Sequence, residues 1–115
     1  MSQDCIFCKI AAGEFGGPPI YQDEQVTAFQ DINPQAPLHV LIIPNRHIGS
    51  LNEATSEDQM LLGQLMLTAA KIARERGVAD KGYRVITNTG SQAGQTVFHI
   101  HLHLLAGRRM TWPPG

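Results

Sequence analysis

Five His stand among the 115 residues, and three of them alternate with aliphatic side chains in His99-Ile100-His101-Leu102-His103-Leu104. Period two is the period of a strand, so the three imidazoles are expected on one face and Ile100, Leu102 and Leu104 on the other. A half-exposed strand has no need of His, since Thr, Lys, Glu or Ser would serve equally well on a polar face. One chemistry open to such a ladder is metal binding. Along a straight strand the outer Cα atoms, of His99 and His103, are about 13 Å apart, whereas Zn–N bonds are about 2.0–2.1 Å. Two neighbouring rings share an ion comfortably, three in a row do not, and a ladder that divides its rings between two tasks is easier to build. The other chemistry is nucleophilic. An imidazole can accept a phosphoryl or nucleotidyl group, and a second His beside it, with an ordinary pKa of about 6.5, suits acid–base work near neutrality. The polar loop Gly94-Gln95-Thr96 just ahead of the ladder offers N–H groups and a hydroxyl to an anion.

Both cysteines fall at the start of the chain, as Cys5-Ile6-Phe7-Cys8. A redox pair of this spacing normally follows a strand, and only four residues precede Cys5. Two buried, inert thiols are a second possibility, and half of a four-ligand zinc site a third. No His pair follows at zinc-finger spacing, so further ligands must come from far along the chain, and spacing alone does not choose among the His.

These groups must be positioned by the rest of the chain. A short helix is expected over Ile6 to Ala12, a hairpin over Ile20 to Gln30, and a mostly buried strand over Leu38 to Pro44. The long helix is expected from about Ser56 to Arg76, with Ser56 and Gln59 as a capping box and Gly77 as its stop. Leu61, Leu62, Leu65, Met66, Ala69, Ile72 and Ala73 lie within an arc of roughly 140°, the width of a face packed on a sheet. Met60 and Leu67 fall on the opposite side, either as stray apolar residues of an ordinary surface or as a patch that suits a partner subunit. Tyr83 to Thr89 and Val97 to Ala106 are expected as the last strands. This order predicts one α+β domain over residues 1–115, with a mostly antiparallel five-stranded sheet, one long helix and a short N-terminal helix.

Composition narrows the field further. Hydrophobic residues make up 43% and charged residues 17%, enough to build a core. Nine Lys and Arg against ten Asp and Glu leave a formal charge of -1, which argues against a coat for nucleic acid. No apolar run approaches the roughly 20 residues of a membrane span, and no secretory signal opens the chain. A cytoplasmic protein without nucleic-acid or membrane partners is expected.

The ladder with its last Leu105 matches the His-x-His-x-His-x-x signature of the histidine triad superfamily of nucleotide-binding hydrolases and transferases. Asp31-Ile32-Asn33-Pro34-Gln35-Ala36-Pro37-Leu38-His39, Ile43-Pro44-Asn45-Arg46-His47-Ile48, Gly94-Gln95-Thr96-Val97-Phe98-His99 and Trp112-Pro113-Pro114-Gly115 resemble its nucleotide-binding protein branch, and the likeness runs from about Asp4 to Gly115. The resemblance implies a homodimer that joins two sheets into a larger one, binds purine nucleotides and hydrolyses nucleoside phosphoramidates through a nucleotidyl-histidine. It implies His101 as nucleophile, His103 at the phosphate and leaving group, and His39 backing His101. It further implies Asn88, Gly94, Gln95, Thr96 and Val97 around the phosphate, Asp31 at the ribose, and Phe7, Phe15, Phe29 and Ile32 about the base. Position 96 carries Thr where close members usually carry Ser, so the hydroxyl is kept and an added methyl narrows the site. Bacterial members of this branch imply structural zinc on Cys5, Cys8, His47 and His99. A regulatory nucleotide binder and a dinucleoside polyphosphate hydrolase of the same superfamily are the competing functions.

Overall fold

The computed structural model describes residues 4–14 and 16–115. Helix α1 spans Ile6–Ala11, strands β1 and β2 span Tyr21–Gln22 and Val26–Gln30, and β3 spans Leu38–Pro44. Helix α2 spans Gln59–Glu75, followed by β4 at Tyr83–Ile86 and β5 at Leu102–Ala106. Among the described residues the five strands form one antiparallel sheet, as the element order predicts, and they lie in the order β1-β2-β3-β5-β4. No helix among the described residues is long and apolar enough to cross a membrane.

Alternation along β3 divides the molecule. Val40 and Ile42, paired with Leu104 and Leu102, meet Leu61, Leu65, Ala69, Ile72 and Ala73 of α2 in the larger core. Leu41 and Ile43 turn to the opposite face and pack on Phe7 of α1, with Phe29 and Val97 around them. His39, one step along β3 from Val40, belongs to this second face. So does His103, which sits opposite Leu41. The sheet thus separates a dry helix-covered side from a side that carries imidazoles.

Several local expectations are corrected. The cap of α2 is not Ser56 with Gln59. A short 3-10 turn at Ser56–Asp58 precedes the helix, and Thr55 and Asp58 form the reciprocal capping box. Asp58 also pairs with Arg46, which ties the start of α2 to the segment after β3. Gly77 does end the helix, at φ +74°, a conformation that a side chain disfavours. Met66, at the edge of the expected apolar arc, is 53% exposed, and Thr68 takes a buried place with its hydroxyl donating to the Gln64 carbonyl at 2.7 Å. The last strands are shorter than expected, because β4 stops at Ile86 and β5 begins only at Leu102. Over residues 97–101 the backbone leaves the ladder. The Ile100 N–H donates to the Ile48 carbonyl at 2.6 Å, and the Thr87 hydroxyl donates to the His101 carbonyl at 2.8 Å.

Candidate functional site

That departure sorts the three imidazoles. His99 is fully buried and its Nε2 lies 2.8 Å from the Pro44 carbonyl. A carbonyl accepts only, so Nε2 carries the hydrogen and Nδ1 presents a lone pair. Around that Nδ1 stand Cys5 Sγ at 3.3 Å, Cys8 Sγ at 3.4 Å and His47 Nδ1 at 3.2 Å, with Cys8 Sγ 3.3 Å from His47 Nδ1. Cys5 is also the N-cap of α1, its sulfur accepting the Cys8 N–H at 3.4 Å. Bonds of about 2.0–2.3 Å to a tetrahedral ion place neighbouring ligand atoms about 3.3–3.8 Å apart, close to the spacing found here. The hydrogen bond to Pro44 supplies the outer support that orients a ligating His. Burial pushes the His99 pKa down, which keeps the ring neutral and its lone pair available. Cys5, Cys8, His47 and His99 could therefore hold a metal ion.

His101 faces elsewhere. Its Nδ1 lies 2.8 Å from the His99 carbonyl, so Nδ1 carries the hydrogen and Nε2 holds the lone pair in the neutral ring. His103 takes the reverse tautomer through a chain of three groups. The Gln35 N–H donates to His39 Nδ1 at 3.0 Å, so His39 Nε2–H points outward. It lies 2.9 Å from His103 Nδ1 and 3.3 Å from Asp31 Oδ2. His103 Nδ1 therefore accepts, and its Nε2–H is left as a buried donor with no partner among the described residues. An unpaired buried donor is costly and marks a place meant for an acceptor. Burial, reinforced by the His101 and His39 rings, pushes His103 from 6.5 down to about 4, so at neutral pH the ring donates a hydrogen bond and carries no charge. The same tautomers exclude Asp31, His39 and His103 as a second metal cluster, although their ligand atoms approach one another. His39 Nδ1 already faces a donor and has no hydrogen to release Nε2 as a lone pair.

Between His101 and His103 opens a cavity of about 950 Å³ whose lining includes Phe7, Phe29, Asp31, Ile32, Thr96 and Val97. Phe7 stands edge-on to Phe29, His99 and His101, with centroids 5.5, 6.0 and 5.0 Å away. A second hollow of about 740 Å³ lies on the other side of His103, lined by Gln35, His39, Arg84, Asn88 and Trp112 among others.

The structure thus brings together His101, His103, Asp31, Ile32, Phe7, Phe29, Thr96 and Val97 at the first cavity, and Asn88 and His39 at the second. Phe15 lies outside the described residues. Gly94 and Gln95 line neither hollow. Their N–H groups donate within the turn, to Ser91 and Gly90 carbonyls. The Gln95 amide staples the loop, donating to Gly49 and Val97 carbonyls and accepting from the Gly90 N–H. His39 touches His103 and not His101, because its place on β3 sets it diagonal to His103 across the β3–β5 pair. Sequence reasoning missed Gln35, Thr87 and the Pro44 carbonyl, which fix ring tautomers and backbone path. Gln35 and Pro44 act through backbone groups, which leave no signal in residue type, and Thr87 acts through its hydroxyl on a backbone carbonyl 14 residues away.

Residues 14–110 match the HIT domain family. The chain belongs to it. This HIT chain is 50% identical over 108 residues to the purine nucleoside phosphoramidase of Escherichia coli K12, covering 94% of this chain and 91% of that one. Its fold is similar to that of a HIT family hydrolase from Legionella pneumophila, with a TM-score of 0.94 and 50% identity over 96% of this chain and 99% of that one. A HIT family hydrolase from Clostridium thermocellum follows at a TM-score of 0.91 and 49% identity, over 95% of each chain.

Proposed function

We propose that this HIT protein hydrolyses purine nucleoside 5′-phosphoramidates of the adenosine 5′-monophosphoramidate type through a nucleotidyl-His101 intermediate. The observation that carries the proposal is the pair of opposite tautomers in one cavity, a lone pair on His101 Nε2 beside an orphaned donor on His103 Nε2. The identity to the E. coli phosphoramidase supports the substrate class. Phe7, Phe29 and Ile32 flank the base, and Asp31, which keeps lone pairs beyond those used by Asn33 and His39, takes the ribose hydroxyls.

Charge on the phosphoryl oxygens is met by His103 Nε2–H and by the N–H groups of Thr96 and Val97, with the Thr96 hydroxyl beside them. Gly94 and Gln95 hold that loop in shape, Gly94 at φ +87°. Asn88 borders the leaving group. A neutral His103 holds its Nε2–H too tightly to transfer it and donates it only as a hydrogen bond, so the departing nitrogen is protonated by His101 itself. A proton taken up at His101 Nε2 before reaction passes to the substrate nitrogen, which restores the Nε2 lone pair that the His99 carbonyl sets in the neutral ring, and that lone pair attacks the α-phosphorus as the P–N bond breaks. Water then attacks phosphorus as the His101–P bond breaks, its proton passes to the freed His101 Nε2, and the nucleoside monophosphate leaves. His39 fixes the tautomer of His103.

The Cys5, Cys8, His47 and His99 cluster is proposed to hold structural zinc, since two thiolates and two imidazoles form a closed tetrahedral set with no position left for substrate. Unbridged thiols suit the reducing cytoplasm, where the protein is proposed to work.

A panel of adenosine and guanosine phosphoramidates beside diadenosine polyphosphates tests the reaction. Phosphoramidates are expected to be preferred in kcat/KM by about tenfold or more. A preference for the polyphosphates would replace the proposal with the dinucleotide hydrolase, and binding without turnover would replace it with the regulatory binder.

The protein is further proposed to be a homodimer. Met60, Met66 and Leu67 are 84%, 53% and 71% exposed on α2, and β4 is an open sheet edge. Trp112, 80% exposed, is proposed to reach toward the partner's site. Light scattering at micromolar concentration is expected to give twice the chain mass of 12.6 kDa. A monomeric mass contradicts it.

A further inference from the structure

Phe7 belongs to two sites at once. In sequence it stands between Cys5 and Cys8. In space its ring is 7% exposed, lies edge-on to both His99 and His101, and forms part of the wall of the 950 Å³ cavity. Helix α1, which carries it, is only six residues long. A helix that short has no stability of its own in water. It is fastened at its start by the two cysteines against His47 and His99, and along its length by Phe7, Ile10 and Ala11 packing beside Leu41 and Ile43. Ile6 and Ile10 also line the cavity. A second link runs through the backbone, since the His99 carbonyl that accepts from His101 Nδ1 belongs to the residue whose ring closes the cluster.

We infer that occupancy of the Cys5, Cys8, His47 and His99 cluster and binding of nucleotide in the His101 cavity are coupled through Phe7 and α1, each tightening the other. A filled cluster fixes the start of α1 and with it one wall of the cavity. A purine against Phe7 holds the same helix from the other end. Whichever ligand arrives first orders α1, and the second no longer has to. The coupling must be reciprocal, with one factor describing both directions. This inference rests on the proposed nucleotide site, where Phe7 is both a wall against the base and the link to the cluster.

The test measures binding, with AMP and zinc as probes. Zinc-loaded wild type is expected to bind AMP about tenfold more tightly than zinc-stripped protein, and saturating AMP to raise zinc affinity against a chromophoric chelator by the same factor. Phe7→Leu keeps every ligand atom and an apolar side chain of similar bulk. It is expected to bind zinc still, with both factors reduced to near one. Equal AMP affinity in loaded and stripped wild type overturns the coupling alone, as does an undiminished factor in Phe7→Leu. Failure of AMP to bind even loaded protein overturns the nucleotide site and the coupling with it. Should stripped protein lose its circular dichroism, cobalt-loaded protein gives a second measurement. AMP is expected to shift the cobalt–thiolate absorption of wild type but not of Phe7→Leu, and unchanged wild-type bands overturn the inference.

Discussion

His101→Ala is expected to lower turnover of adenosine 5′-monophosphoramidate by at least about 10³-fold, the scale on which a proton-transferring nucleophile acts. AMP affinity should change by no more than a few-fold. The two effects separate because the ring supplies one lone pair at phosphorus, while the base and ribose are held by other side chains in the same cavity. His103→Ala should cost less, since it removes a hydrogen-bond donor from the charge on the phosphoryl oxygens and no bond-making atom. Such a donor contributes about 10²–10³ in rate. Steady-state kinetics beside calorimetric AMP binding checks both. Substantial turnover in His101→Ala would leave the chemistry without its nucleophile.

The second large effect is on stability. Cys5→Ser combined with Cys8→Ser, or removal of metal by a chelator, is expected to lower the thermal midpoint by about 15 °C. An ion present at 1,000 times its Kd stabilises the folded state by about 4 kcal/mol, and a chain of this size loses roughly 4 °C per kcal/mol. The loss falls short of complete unfolding because the core between α2 and the sheet is built without the cluster. Calorimetry with metal analysis decides. Less than half an equivalent of zinc, with an unaltered midpoint in the double variant, would contradict a structural metal.

What was legible in the sequence follows the range of the forces involved. The strand Leu38–Pro44 was visible to the residue because both faces of β3 are covered, which demands an unbroken apolar run. The body of α2 was visible from its period, and Met66 was misplaced only because it sits where the arc meets solvent. The ladder misled in one respect. Its alternation continues through His99 and His101, yet pairing begins at Leu102, because the segment before it bonds instead from the Ile100 N–H to the Ile48 carbonyl and from the His99 ring to the Pro44 carbonyl. Alternation records which way side chains point and not whether the backbone is paired.

The grouping of Cys5 and Cys8 with His47 and His99 came from family resemblance, since contacts 39 to 94 residues apart leave no local trace. The link from Gln35 through His39 to His103 was invisible for the same reason. It depends on the register of β3 against β5 and on a backbone N–H that any residue except Pro would supply.

The central claim is a covalent bond between His101 Nε2 and the α-phosphorus. Rapid acid-free quenching of labelled adenosine 5′-monophosphoramidate with denaturant, followed by peptide mapping, tests it most directly. The account predicts one labelled peptide, modified at His101, with a linkage that acid cleaves and alkali leaves intact, as expected of a P–N bond. A label on any other residue, or normal turnover with no label at any quench time, would contradict it.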